Sequence, residues 1–374
     1  MRAAMGALVA GSVAPVPSTS RAAEPRLDCM AGARATQPRL AGWGHASQRL
    51  PIAISRGGRP GRAAAVRPTA AATVKAEKCM TKKVPTADEL LPNKDFGMEG
   101  RTFREKFDVR SFEIDHSDKR ASITTMTNLL QECAANHTYG LWGRGTDGGY
   151  ATDPIMEEDS LAFVLQRMMV RFVEYPTWTD RVQVETWFAE SGRIGARRDW
   201  EVTDCRTGKV LGGGTSNWVL LNLKKRKLAR MPEELRLKNI DRSPQPEKWA
   251  LGEGVAVKKI PDVDLEADGV RCVGMSSLMA RRSDMDMNGH VNNVTYIDWA
   301  LESVPQEQLD SHSVAQVEIE YKNECMVGEC IETISCLQVE AREDGLVEYT
   351  HVVRKEACKT ELVVARTLWA AKAH

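Results

Sequence analysis

Within residues 284–293, Asp284, Asp286, Asn288, His290, Asn292 and Asn293 gather two carboxylates, three carboxamides and an imidazole immediately ahead of an apolar-periodic helix. An acid and an imidazole activate a nucleophile by taking its proton, and amide donors at a helix start point at developing negative charge. The set therefore suits acyl transfer through a stabilised oxyanion. Metal binding and helix capping compete with that reading. Asp284, Asp286, Asn288 and Gly289 fall on positions 1, 3, 5 and 6 of a calcium-binding EF-hand loop, but position 12, which needs a bidentate Glu, is Thr295, and residues 278–283 read as strand. Calcium is discarded on that ground. Capping explains the asparagines, yet the alternate spacing of Asp286, Asn288 and His290 predicts an extended segment with all three side chains on one face.

A second polar group, Glu324-Cys325, follows the apolar alternation of Val317, Ile319 and Tyr321. In an antiparallel sheet wrapped around the helix, the end of that strand can face the helix start, and two catalytic arrangements stay open. In one, Cys325 is the nucleophile, His290 its base and Asn288 the orienter. In the other, Asp286 and Glu324 serve as base or nucleophile while His290 and Asn288 supply hydrogen bonds. His290 with Cys325 and Cys330 lacks tetrahedral ligand spacing, so neither a metal nor another cofactor is expected.

Two sets of elements must position these groups. Ile123, Met126, Leu130, Cys133, His137 and Leu141 recur every three or four residues, which predicts a helix from Ser122 to the glycines at 140, 143 and 145. An extended run over 101–116 precedes it, and strand-like runs at 163–175, 181–190, 196–203 and 210–221 follow. The second half repeats this order: a strand at 275–282, a helix through Tyr296 and Trp299 that stops before Pro305, then strands at 314–321, 330–340, 347–354 and 362–371. The recurrence predicts an α+β protein built by internal duplication, each unit a long helix buried by an antiparallel sheet.

Composition narrows the class. The chain of 374 residues is 42% hydrophobic and 27% charged, as expected of a soluble globular protein. Residues 1–75 carry ten Arg and Lys75 against only Glu24 and Asp28, with abundant Ala, Ser, Pro and Gly and no sustained apolar periodicity, which predicts an organelle transit peptide. Beyond it, 49 acidic side chains outnumber 40 basic ones, which argues against nucleic acid as the main partner. No run of about 18 apolar residues predicts a membrane span. Nine irregularly spaced cysteines without a CxxC pair read as reduced thiols.

The run Met287-Asn-Gly-His-Val-Asn-Asn-Val-Thr-Tyr-Ile-Asp-Trp-Ala-Leu-Glu-Ser303, with Ala196-Arg-Arg-Asp-Trp200, Thr215-Ser-Asn-Trp-Val219 and Glu320-Tyr-Lys-Asn-Glu-Cys325, resembles the plastid acyl-acyl-carrier-protein (acyl-ACP) thioesterases of plants and algae. The similarity covers roughly residues 95–372. It implies tandem hotdog folds and hydrolysis of the thioester between a fatty acyl chain and its carrier. It also implies catalytic roles for Asp286, Asn288, His290 and Glu324, with Cys325 an older nucleophile candidate. The layout that follows is a plastid transit segment at 1–75, a linker at 76–100, an N-terminal acyl-binding hotdog at 101–237, a linker at 238–270 and a catalytic hotdog at 271–374. The family usually has Gln where this chain has Gly289 and Arg-Arg where it has Lys322-Asn323. Thr295, and the lack of an apolar segment after the transit peptide, resemble the oleoyl-preferring class. The competing expectations are an acyl-CoA hydrolase of the same fold and a non-catalytic carrier binder. Met126, Leu130 and Cys133 are the candidate lining of the acyl slot. Carrier proteins are acidic, so Lys224-Lys225-Arg226-Lys227 with Arg193, Arg197 and Arg198 are the candidate dock. A homodimer is compatible with this reading.

Overall fold

The structure, a computed structural model, describes residues 94–143, 152–192, 194–263, 265, 270–340 and 342–372. The expected transit segment and most of the 76–100 linker lie outside them. Two short strands, β1 (Lys94–Gly97) and β2 (Thr102–Asp108), lead to α1 (Ile123–Trp142). Ser122 caps α1 by accepting from Thr125 N at 3.0 Å, and Gly143, at φ 79°, ends it by donating its N–H to Tyr139 O. Ile123, Met126, Leu130, Cys133 and His137 are all buried, so the predicted face is the one that packs.

The remaining elements are α2 (Pro154–Glu158), β3 (Leu161–Phe172), β4 (Arg181–Ser191), β5 (Gly195–Asp204), β6 (Val210–Asn222), β7 (Lys227–Leu228) and α3 (Glu233–Asp241), followed by β8 (Val270–Met279), α4 (Thr295–Leu301), α5 (Gln306–Ser311), β9 (His312–Tyr321), β10 (Cys330–Gln338), β11 (Val347–Lys355) and β12 (Glu361–Ala371). Apart from β7, which pairs only with β6, the strands form one antiparallel sheet in the order β1-β2-β4-β5-β6-β3-β9-β12-β11-β10-β8. Counting from the strand before each central helix, both halves run first, third, fourth, fifth, second, which makes the fold a tandem hotdog. The two second strands, β3 and β9, join the halves, with Arg167 opposite Glu320 and Val170 opposite Val317. Arg167 pairs with Glu320 and Arg171 donates to Gln316 across that seam. Helix α1 packs on β2 and β4, α4 on β10, β11 and β12, and the helices touch each other, so one apolar core runs through both halves.

Two expectations are corrected. The first strand ends at Asp108 rather than at 116, because Glu113 accepts from Arg110 N at 2.8 Å and folds Ser111–Glu113 into a 3-10 turn, leaving Phe112 75% exposed. The second long helix is only seven residues, Thr295–Leu301. The segment between the halves begins inside α3 and is laid along the sheet face opposite the helices. Lys248 pairs with Glu185, Trp249 lies under the Arg197 guanidinium, and Ile260 N donates to Glu320.

Candidate active site

Strand β8 hands the chain to a turn that consumes Asp284. Its carboxylate accepts from Arg281 N at 2.7 Å and pairs with the Arg281 guanidinium, while its carbonyl accepts from Asn292 N. The next residues close on themselves. Asp286 N donates to His290 O at 2.7 Å, Gly289 N donates to Asp286 O, and Asp286 Oδ1 accepts from the backbone N–H groups of Asn288 and His290 at 2.9 and 3.1 Å. The expected extended segment is therefore a tight turn, because a short carboxylate that can bond its own downstream N–H groups competes with strand geometry. Gly289 sits at φ 76° with open space around it, a backbone conformation that glycine adopts without strain.

The turn presents His290 to Glu324, with Nε2 3.9 Å from Oε1 and both side chains partly exposed. Glu324 belongs to the connection after β9, which is pinned to the helix start from two sides. Tyr321 Oη donates to Asn293 O at 3.0 Å, and Cys325 N donates to Tyr296 Oη at 3.2 Å. These two tyrosines went unassigned in the sequence. The period-two run through Val317 and Ile319 placed Tyr321 on the helix side, but nothing local marked its hydroxyl as the tie.

Cys325 is 1% exposed within the core, and burial, with Glu329 nearby, pushes its thiol up to about 12. Met126, Leu130 and Cys133 have no exposed surface; Cys133 points its thiol at Val184 O, and Leu130 packs against the backbone of Gly214. Arg197 and Arg198 are buried as well. Arg197 pairs with Asp199, and Arg198 donates to Thr186, approaches His137 Nδ1 at 3.2 Å and stacks on Phe188. Neither is available to a docking partner. Arg193 lies outside the described residues, and of the expected patch the exposed turn Lys224–Lys227 remains.

The N-terminal half contains a related turn, one residue longer, with different chemistry. Ile114 bridges Ala121 as Met285 bridges Val291, Asp115 N donates to Arg120 O at 2.8 Å, and Asp115 Oδ1 accepts from Ser117 N at 2.7 Å. Arg120 thus takes the place of His290. Three residues past the end of β3, where Glu324 stands after β9, is Tyr175. The N-terminal copy does hold an imidazole, His116, with Nδ1 3.8 Å from Asp115 Oδ1, but Tyr175 stands where Glu324 would, so the meeting of a turn imidazole with a carboxylate after the second strand belongs to the C-terminal copy.

Residues 100–238 match the family described as acyl-ACP thioesterase N-terminal domain, and residues 271–371 match its C-terminal domain. The chain is 37% identical over 293 residues to oleoyl-acyl carrier protein thioesterase 2, chloroplastic, of Arabidopsis thaliana, covering 73% of this chain and 78% of that one. It is 38% identical over 280 residues to the palmitoyl-acyl carrier protein thioesterase, chloroplastic, of the same plant, covering 73% and 65%. Overall identity therefore does not separate the two acyl classes. Among solved structures, the 12:0-ACP thioesterase from Umbellularia californica superposes with a TM-score of 0.63 at 33% identity, covering 74% of this chain and 96% of that one. Matched domain by domain and over most of its length, the chain belongs to the acyl-ACP thioesterase family.

Proposed function

We propose that the protein hydrolyses the thioester of long-chain fatty acyl-ACP in the plastid, releasing free fatty acid and the carrier thiol. The observation that carries this reading is the approach of His290 to Glu324 beside a turn organised by the Asp286 carboxylate. His290, paired with Glu324, takes a proton from water, and the hydroxide oxygen forms a bond to the thioester carbonyl carbon. The resulting oxyanion is held by the Asn288 amide. Collapse breaks the carbon–sulfur bond, and the leaving thiolate takes the proton back from His290. Asp286 holds the backbone of Asn288 and His290 in place. The buried, protonated thiol of Cys325 favours this scheme over a cysteine nucleophile.

Met126, Leu130 and Cys133 remain the proposed lining of the acyl slot, reached when side chains packed along α1 move aside. The test is steady-state turnover of oleoyl-ACP and palmitoyl-ACP, with the matching acyl-CoA as competitor reading. Glu324→Gln, His290→Ala and Asp286→Asn each lower kcat by about a hundredfold or more. Wild-type turnover in Glu324→Gln sinks the mechanism, and preference for acyl-CoA over acyl-ACP sinks the substrate assignment.

A further inference from the structure

We propose that the β6–β7 hairpin is the surface on which the acidic carrier protein docks, an inference that rests on the acyl-ACP reading above. Lys224, Lys225, Arg226, Lys227 and Arg230 are all exposed, and among the described residues none of the five has an ion-pair partner. Elsewhere in this acidic chain cations are commonly neutralised, as Arg354 and Lys359 are on Glu332. Five unpaired positive charges within seven residues form a local field opposite in sign to the rest of the molecule.

The sheet register sets this hairpin beside the active site. Continuing the pairing of Arg167 with Glu320 along β3 and β9 brings Glu324 level with Phe163, whose partner on β6 is Leu220. Strand spacing then puts Glu324 about 10 Å from Leu220, and the basic tip starts four residues farther along, about 17 Å from the reacting groups. The duplicated fold gives the same placement independently. At the other end, Lys372, the first residue past β12, donates to Ser117 of the Asp115 turn at 3.2 Å. The end of the last strand of one half thus abuts the helix-start turn of the other. The counterpart of Lys372 after β6 is Leu223, so the duplication assigns the start of the basic run to the neighbourhood of the Asp286 turn. A carrier held there delivers a tethered thioester to His290 and Glu324.

The test compares the full chain with the triple variant Lys224→Glu/Lys225→Glu/Lys227→Glu. Arg226 is left in place because it holds the turn at φ 52°. Both proteins are assayed on oleoyl-ACP at low and at high salt, and on a neutral S-acyl-N-acetylcysteamine thioester. KM for oleoyl-ACP should rise about tenfold in the variant at low salt, the gap should close as salt screens the field, and turnover of the neutral thioester should be unchanged. An unchanged KM for oleoyl-ACP at low salt overturns the proposal, as does an equal loss on both substrates. Calorimetric titration of both proteins with the unacylated holo carrier protein reads docking without turnover: weaker binding by the variant supports the dock, and equal binding overturns it even if the hydrolytic reading fails.

Discussion

Acidification from pH 7.5 to 4.5 should weaken the fold by about 3 kcal/mol through His351 alone, and His351→Gln should remove that increment. His351 lies on β11 with no exposed surface; its Nδ1 is 2.7 Å from Ser335 Oγ and its Nε2 2.7 Å from Thr367 Oγ1. The hydroxyls satisfy a neutral ring, one donating and one accepting, and Ser335 in turn meets Ser303 at the end of α4. Burial pushes the imidazole from its ordinary 6.5 down to about 3. The folded state therefore refuses a proton that the unfolded chain accepts below pH 6.5. The stability is present in full above that pH and is lost as pH falls toward 3. At roughly 1.4 kcal/mol per unit, the two units from 6.5 to 4.5 amount to about 3 kcal/mol, half of it gone by pH 5.5. Glutamine keeps a donor and an acceptor but does not titrate. Urea unfolding of both proteins at pH 7.5, 5.5 and 4.5 measures the difference, and parallel losses in wild type and variant would refute the reasoning. His137, also depressed by burial, contributes equally to both and cancels.

Glu105 should behave in the opposite sense. Burial raises its carboxyl to about 7 against the hydrogen bond from Asn136, with Glu132 adding repulsion, so the stability it contributes is complete below pH 4.5 and lost as pH rises through 7. Glu105→Gln should match wild type at pH 4.5 and exceed it by about 2 kcal/mol at pH 8 in thermal or urea melts, a figure reduced for screening near exposed Glu132; equal stability at pH 8 rules this out. Gly274→Ala should prevent accumulation of soluble protein or cost about 3 kcal/mol or more in denaturant melts, because its Cβ would lie 1.7 Å from Ser303 O; wild-type stability would mean that β8 yields freely. Cys325→Ala should cost about 1–2 kcal/mol by losing a buried sulfur while keeping kcat within a few-fold, and near-complete loss of turnover would restore the cysteine scheme.

Local patterns made much of the framework legible. The Ser122 cap and the three-to-four spacing through His137 define α1, since both act within a few residues of chain. The repeated order of strand, helix and four strands exposes the duplication for the same reason. The chemistry of Asp286, Asn288 and His290 was also legible from residue type, but not its conformation. The alternate spacing that suggested a strand was overridden by the Asp286 carboxylate, which found its own backbone donors first. Burial of Arg197 and Arg198 was hidden for a different reason. Period two sends the pair to opposite faces, and only the folded chain shows that the helix covers one face while the segment through Trp249 covers the other.

Residue types alone thus determined which groups could perform hydrolysis and roughly which elements would carry them. Tertiary structure decided which groups meet. Glu324 reaches His290 and Cys325 turns into the core beside Tyr296, because strand register across β6, β3 and β9 fixes distances between residues far apart in sequence. That register is set by packing against two helices, an interaction no local stretch of chain contains.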